Sequence, residues 1–295
     1  MMQREGNLLC LSWLLLAASV SKNGYYTWLK TEDNRKEREA QDQADFELIL
    51  AAYNYRGYKK GARSIYMHLL HQGTRMNLKK IRRLMKKYGL FCPVRKPNPY
   101  KAALKAEYEN KVAPNLLDRQ FKAFGPRRVL LTDITYLYYN RNRRCYLSVI
   151  KDAYTNKILA HATSSTLKLD FVLETFKQAV SVHGSTFTTN TMVHSDQGTH
   201  YTSTRFAKLL ENEHLLRSMS RKANCWDNAP QESFFGHMKD EISISGCNSI
   251  SEVSKAINDW IDYYNNERYQ WSLAKLSPHQ YYNYCTTGNY PSSIK

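Results

Sequence analysis

The sequence predicts an α/β protein: a mixed five-stranded sheet with helices packed on it, preceded by a small all-α, helix-turn-helix-like module. Three observations predict this. Strand-like runs at Val129–Tyr139, Cys145–Lys151 and Ile158–Ser164 follow one another across short turns, as an antiparallel meander requires. Helical and strand-like segments then alternate through Leu169–Glu241, which adds helices and further strands to one sheet. Upstream, the charge pattern changes completely. From Tyr53 to Lys101 there are 14 Lys or Arg and no acid, whereas residues 126–295 carry 19 basic and 15 acidic side chains.

The elements follow in chain order. Leu8–Val20 is apolar, with Arg4 before it and Ala17-Ala18-Ser19 at its end, and so imitates a signal peptide. It is too short to span a bilayer, and a buried amphipathic helix is the expectation. After a break at Ser21–Gly24, Thr31–Leu50 reads as a charged, solvated helix. Gly61–Gln72 has Ile65, Leu69 and Leu70 at helical spacing, and Gly73 stops it. Asn77 can cap the next helix, Leu78–Tyr88. Leu78, Ile81, Leu84 and Met85 line one face of it, with Lys79, Lys80, Arg82, Arg83, Lys86 and Lys87 opposite. Helix, glycine turn and basic helix make a helix-turn-helix candidate. With no acid interleaved, Lys79, Arg82, Arg83, Lys86 and Lys87 are expected to bind DNA phosphates.

Pro93, Pro97 and Pro99 stiffen a linker, and Lys101–Pro126 is expected to be a partly helical arm. The expected organisation is therefore residues 1–50 as an N-terminal helical segment, 51–92 as the basic module, 93–126 as linker and arm, and 127–285 as the α/β core. Leu169–His183 is an amphipathic helix, Thr191–Ser195 a short buried strand and Thr204–Glu213 a helix. Leu216–Met219 is the fifth strand, and Pro230–Glu241 and Val253–Tyr264 are the last helices.

Net charge is +17, which points to a polyanionic partner. Six scattered cysteines form no Cys-x-x-Cys pair, as expected of reduced thiols in a cytoplasmic protein. His68 and His71 lack the cysteine pair that would complete a zinc site and read as helix-surface residues.

Three acids stand where chemistry is expected. Asp133 lies mid-strand in an apolar run, which costs desolvation energy unless a positive charge meets it. Asp196 follows a buried strand in His194-Ser195-Asp196-Gln197-Gly198, where the glycine permits a tight turn. Glu232 lies in the first turn of a helix opened by Pro230, with Asp227 or Asn228 as cap. Carboxylates in such positions suit Mg2+, which prefers hard oxygen ligands.

The sequence resembles bacterial insertion-sequence transposases with a retroviral-integrase core, of the downstream (orfB-type) product of the insertion sequence three family. The matching residues are Thr132-Asp133-Ile134-Thr135, His194 through Gly198, Met219 through Lys222, Asn224 through Pro230 and Glu232 through Gly236. Tyr264-Asn265-Asn266-Glu267-Arg268 and Leu276-Ser277-Pro278 also match. Upstream, Val20 through Tyr26 and Gly57-Tyr58 through Met85 extend the likeness over nearly the whole chain. The 35 residues between Asp196 and Glu232 are the gap characteristic of that family. One departure is Leu131, near a position where the family usually has Trp.

The resemblance implies a ribonuclease H-like fold, DNA as substrate, and Asp133, Asp196 and Glu232 as ligands to two Mg2+ ions, with Mn2+ as a substitute. It implies cleavage at element ends, followed by attack of the freed 3′ hydroxyl on another phosphodiester. Leu8–Val20 then corresponds to a short cytosolic helix, with no membrane association. Lys239, two helical turns after Glu232, is expected to face DNA beside the site or to be a solvated lysine. Asn228 and His194 are expected to order the site or contact DNA, with a packed strand histidine as the other reading of His194. The implied partners are an upstream orfA-type protein, or a frameshift fusion with it, and a second copy of the chain on DNA. No sustained heptad run supplies a dimerisation helix, so efficient recombination by this chain alone is not expected. Two other functions stay open on the sequence: a catalytically silent DNA-binding regulator, and a structure-specific nuclease of the same fold.

Overall fold

The computed structural model describes residues 10–58, 60–92, 115–118, 120–220 and 228–291. The proline-rich linker, most of the expected arm and the segment 221–227 lie outside the described residues.

Three helices open the chain: α1 (Leu11–Ala17), α2 (Lys22–Lys30) and α3 (Glu32–Asn54). The break at Ser21 is a helix start, because Ser21 Oγ accepts the Gly24 N–H at 3.0 Å. α1 departs from the expected burial. Of its seven residues only Leu15 is buried, while Trp13 is 70% and Leu16 75% exposed. Two turns of helix ending at the left-handed Ser19 are too short to lay a whole face on a neighbour.

α3 runs through residue 50, where the sequence suggested a boundary. Its second half joins the module of α4 (Ala62–His71) and α5 (Leu78–Lys87). Ile49 and Ala52 pack with Ile65, Leu69, Met76, Ile81, Leu84 and Met85 in one small core. Gly73, at φ +80°, turns the chain after α4, and Asn77 Oδ1 accepts the Lys79 N–H at 2.8 Å to begin α5.

The sheet comprises β1 (Val129–Tyr139), β2 (Arg143–Asp152), β3 (Ile158–Ser164), β4 (Met192–Ser195) and β5 (Leu216–Met219), in the order β3-β2-β1-β4-β5. β1, β2 and β3 pair antiparallel, and β4 joins β1 in parallel with β5 beyond it. Alternation along β1 sends side chains to two cores. Leu130 and Ile134 meet α6 (Leu169–His183) and α7 (Thr204–Asn212) through Phe176 and Phe206. Leu137, Leu147 and Val149 meet α8 (Ala229–Glu241) and α9 (Ile250–Asn266) through Phe234, Met238 and Trp260.

A last helix, α10 (Pro278–Thr287), was not expected. Its start is a full capping box: Ser277 Oγ accepts the Gln280 N–H and Gln280 Oε1 accepts the Ser277 N–H. Asp152, at the end of β2, is fully buried and tied to Arg127 at 3.2 Å. The Arg127 guanidinium lies over the Tyr282 ring, so this pair fastens α10 to the sheet.

The helical module docks on the segment between α9 and α10. Arg56 pairs with Glu267, Leu70 packs on Leu276, and His71 stacks on Tyr269 with ring centroids 3.5 Å apart. His68 and His71 are therefore not helix-surface residues. His68 is 9% exposed, His71 Nε2 lies 2.9 Å from the Lys275 carbonyl, and burial lowers both imidazole pKa values. Among the described residues no three His, Cys, Asp or Glu side chains form a group that could hold a metal ion as they stand. No described helix is long and apolar enough to cross a membrane.

Candidate active site

The topology brings the acids of two distant segments side by side. Asp133 is the fifth residue of β1, opposite Val149 of β2. Asp196 follows the last residue of β4, the strand that pairs with β1 on its other side. α8 packs on the Asp133 side of the sheet and carries Glu232 in its first turn.

Each aspartate is held by short local bonds. Asp133 Oδ1 accepts the Ile134 N–H at 2.7 Å, and Asp133 Oδ2 accepts from the Asn228 side-chain amide at 3.2 Å. Asp196 Oδ1 accepts the Gly198 N–H at 2.9 Å. The carboxylate folds so closely over this turn that a Cβ at Gly198 would stand 2.9 Å from Oδ1. Gln197 ties the turn to β5 by donating to the Ser220 carbonyl at 2.9 Å. Behind Asp133, the buried Tyr201 hydroxyl pairs with Thr132 Oγ1 at 3.2 Å.

The site is strongly negative. Burial first, and then the charges of Asp196 and Glu232, push the Asp133 carboxyl up to about 7. The Ile134 N–H and the Lys239 ammonium act in the opposite direction. Glu232 and Lys239 are both exposed. The three acids thus feel one another electrostatically, although they do not enclose one point. The donors are all hard carboxylate oxygens, and the mutual repulsion is of the kind a divalent cation relieves.

Asn228 was expected as a cap, an ordering residue or a DNA contact. It sits at the N-cap of α8 without a capping bond, its amide turned to Asp133 and its Oδ1 buried without a partner among the described residues. His194 is fully buried on β4, with Nδ1 3.0 Å from Ser218 Oγ, which also accepts the Leu116 N–H. It is a packed strand histidine. Sequence reasoning missed Lys151, whose fully buried ammonium donates to the Pro230 carbonyl at the start of α8. Burial lowers its pKa to about 7. The one signal was a lysine at the end of an apolar strand, which reads equally well as a strand terminus.

The basic residues of α5 fall into two stripes. Arg83 bonds Asp42 of α3 at 2.7 Å, Lys87 bonds Glu39 at 2.5 Å and Asp42 at 2.9 Å, and Lys80 pairs with Asp45. The bonds from Arg83 and Lys87 hold the Asp42 carboxyl well below the usual carboxylate range. Lys79, Arg82 and Lys86 form the other stripe and are exposed, with no ion pair among the described residues. Acids distant in sequence thus neutralise half of a helix that looks uniformly basic.

Residues 123–225 match a family model described as an integrase core domain, and residues 232–284 match a second of the same description. Residues 40–98 match an HTH-like domain. An integrase core joined to an HTH-like module defines the class, a polynucleotidyl transferase that acts in DNA transposition. The putative transposase InsK for insertion sequence element IS150 of Escherichia coli (strain K12) is 32% identical over 92% of this chain and 92% of its own length. The transposase for insertion sequence element IS904 of Lactococcus lactis subsp. lactis (strain IL1403) is 33% identical over 81% of this chain and 93% of its own. Transposase InsF for insertion sequence IS3A, also of Escherichia coli (strain K12), is 30% identical over 90% and 91% respectively. The chain belongs to the family of insertion-sequence transposases with an integrase core.

Proposed function

We propose that Asp133, Asp196 and Glu232 form an Asp-Asp-Glu site that holds two divalent cations and both cuts and joins DNA at the ends of an insertion sequence. The observation that carries this reading is the meeting of Asp133 on β1 with Asp196 at the tip of the adjacent parallel β4, beneath the helix that carries Glu232. Mg2+, or Mn2+ in its place, would neutralise the three carboxylates and favour both the attacking and the leaving oxygen of an in-line displacement. The bonds from Asn228 and Ile134 fix Asp133, and the turn through Gly198 fixes Asp196. Glu232 is exposed, so its side chain is free to approach the two aspartates from a fixed helix start.

In the first step a water oxygen bonds to the phosphorus at an element end. The phosphorus–O3′ bond breaks, leaving a 3′ hydroxyl on the element and a 5′ phosphate on the flank. In the second step that hydroxyl bonds to another phosphorus, and the O3′ attached there leaves. Neither step requires a covalent bond to the protein. Lys239, whose charge acts on Asp133, would meet the DNA backbone beside the site.

Lys79, Arg82 and Lys86 present the phosphate-binding face of α5, while Arg83 and Lys87 reach DNA only by giving up their acids on α3. Lys79→Glu, Arg82→Glu and Lys86→Glu together are expected to weaken DNA binding by at least about tenfold and to flatten its salt dependence. The same reversal at Arg83 and Lys87 should instead lower the melting temperature, because Asp42 and Glu39 lose their partners. A filter-binding titration with a parallel thermal melt checks both expectations.

Joining two ends requires both in one complex, so the working form is an oligomer on DNA in the cytoplasm, with an upstream orfA-type protein or fusion segment as partner. The test is a strand-transfer assay on labelled end DNA, with that partner present, with and without Mg2+. Joined product that appears only with Mg2+ is the expected result. Cleavage without joining identifies a nuclease, and binding alone a regulator.

A further inference from the structure

Lys151 is difficult to explain by stability. It is 2% exposed, and the only hydrogen bond its ammonium makes among the described residues is to the neutral carbonyl of Pro230. The adjacent acid offers no direct partner: Asp152 is engaged by Arg127, by the Tyr154 N–H and by Thr155 Oγ1. Burying an ammonium without a bonded carboxylate is costly, and an apolar side chain of similar length would avoid that cost.

Its place in the sheet points to what it does. Lys151 lies opposite Leu131, and Val149 lies opposite Asp133, so Lys151 emerges on the Asp133 side of the sheet, one pleat along. α8 begins there, with Asn228 and Gln231 buried at its start. Its N-cap residue makes no capping bond: the Asn228 side-chain N–H donates to Asp133, and Oδ1, the atom that would cap, is buried without a partner among the described residues. Lys151 supplies two attachments. Its ammonium bonds the Pro230 carbonyl and lies 5.7 Å from the centre of the Phe234 ring, one turn further on. Glu232 is midway between those two residues.

We infer that Lys151 is a positioning residue for Glu232, fixing the first turn of α8 against the sheet so that the carboxylate is presented to Asp133 and Asp196. The inference rests on the assignment of Glu232 to the metal site. In this reading Lys151 acts through α8 alone, by the Pro230 carbonyl and the Phe234 ring, and not by contact with DNA or the reacting phosphate.

Lys151→Met keeps the length and packing of the side chain and removes the ammonium. The full chain carrying it is titrated with Mn2+ alone by electron paramagnetic resonance, beside wild type, Glu232→Gln and Lys151→Gln, whose amide can still donate. Thermal melts and end-DNA cleavage at saturating DNA accompany the titration. Lys151→Met should melt at or above the wild-type temperature, bind DNA as wild type does, bind Mn2+ at least about tenfold more weakly and cleave correspondingly more slowly. Lys151→Gln should recover part of both losses. A folded Lys151→Met with wild-type Mn2+ affinity and rate overturns the inference. Failure of both Lys151 variants to fold overturns it too, by making the lysine structural. If Glu232→Gln leaves Mn2+ binding unchanged, the site assignment itself fails, whatever Lys151 does.

Discussion

Asp133→Asn, Asp196→Asn and Glu232→Gln are each expected to lower DNA cleavage and joining by at least about a thousandfold while leaving DNA binding intact. Each change keeps the size of the side chain and removes one charge from the donor set. Asp133 is the most sensitive position, because desolvation first, and then the charges of the other two acids, raise its carboxyl. Asp133→Asn therefore also relieves repulsion, and the variant should melt at a higher temperature than wild type in the absence of metal. Lost activity with raised stability distinguishes a ligand from a structural acid. Asp196→Asn brings a second change, since an amide is a weaker acceptor than a carboxylate for the Gly198 N–H that closes the turn. Gel assays of cleavage and joining, with binding measured separately, check all three.

The largest effect on stability is expected at Asp152. Its side chain is fully buried, accepts from the Arg127 guanidinium, the Tyr154 N–H and Thr155 Oγ1, and has no access to water. Asp152→Ala leaves the Arg127 charge buried without its acid, which costs about 3–5 kcal/mol. For a domain of this size that lowers the melting temperature by about 10 °C. The double change Arg127→Met with Asp152→Leu should recover much of the loss, because no charge then remains uncompensated. Calorimetry on the single and double variants tests this, and equal destabilisation by both would show that the pair matters only through packing.

What the sequence revealed follows the strength of its local signals. β1, β3, β5 and α6 lie within the limits read from sequence, because long apolar alternation and clean amphipathic spacing each specify one kind of element. Asp133 and Asp196 were legible for a related reason. An acid inside an apolar strand, and another before a turn glycine, contradict their surroundings, and the ordered motifs around them narrowed the choice. Partners brought together from far apart were not legible. The basic face of α5 gives no hint that Asp42 and Asp45, some forty residues earlier, neutralise one stripe of it. His68 and His71 read as surface residues because the segment that covers them, around Tyr269 and Lys275, lies two hundred residues downstream. α1 misled in the opposite sense: apolar composition suggested burial, but seven residues have little to pack against. Lys151 was overlooked because position at the end of a strand looks like exposure until the helix above it is known.

Anomalous scattering from Mn2+ in crystals of the protein bound to the terminal DNA of its own element is the most direct test of the site. Two Mn2+ peaks within bonding distance of the Asp133, Asp196 and Glu232 carboxylates, with Glu232 drawn in from its exposed position, are the predicted result. Mn2+ held elsewhere on the protein, or held by the two aspartates with Glu232 still turned to solvent, would contradict the account.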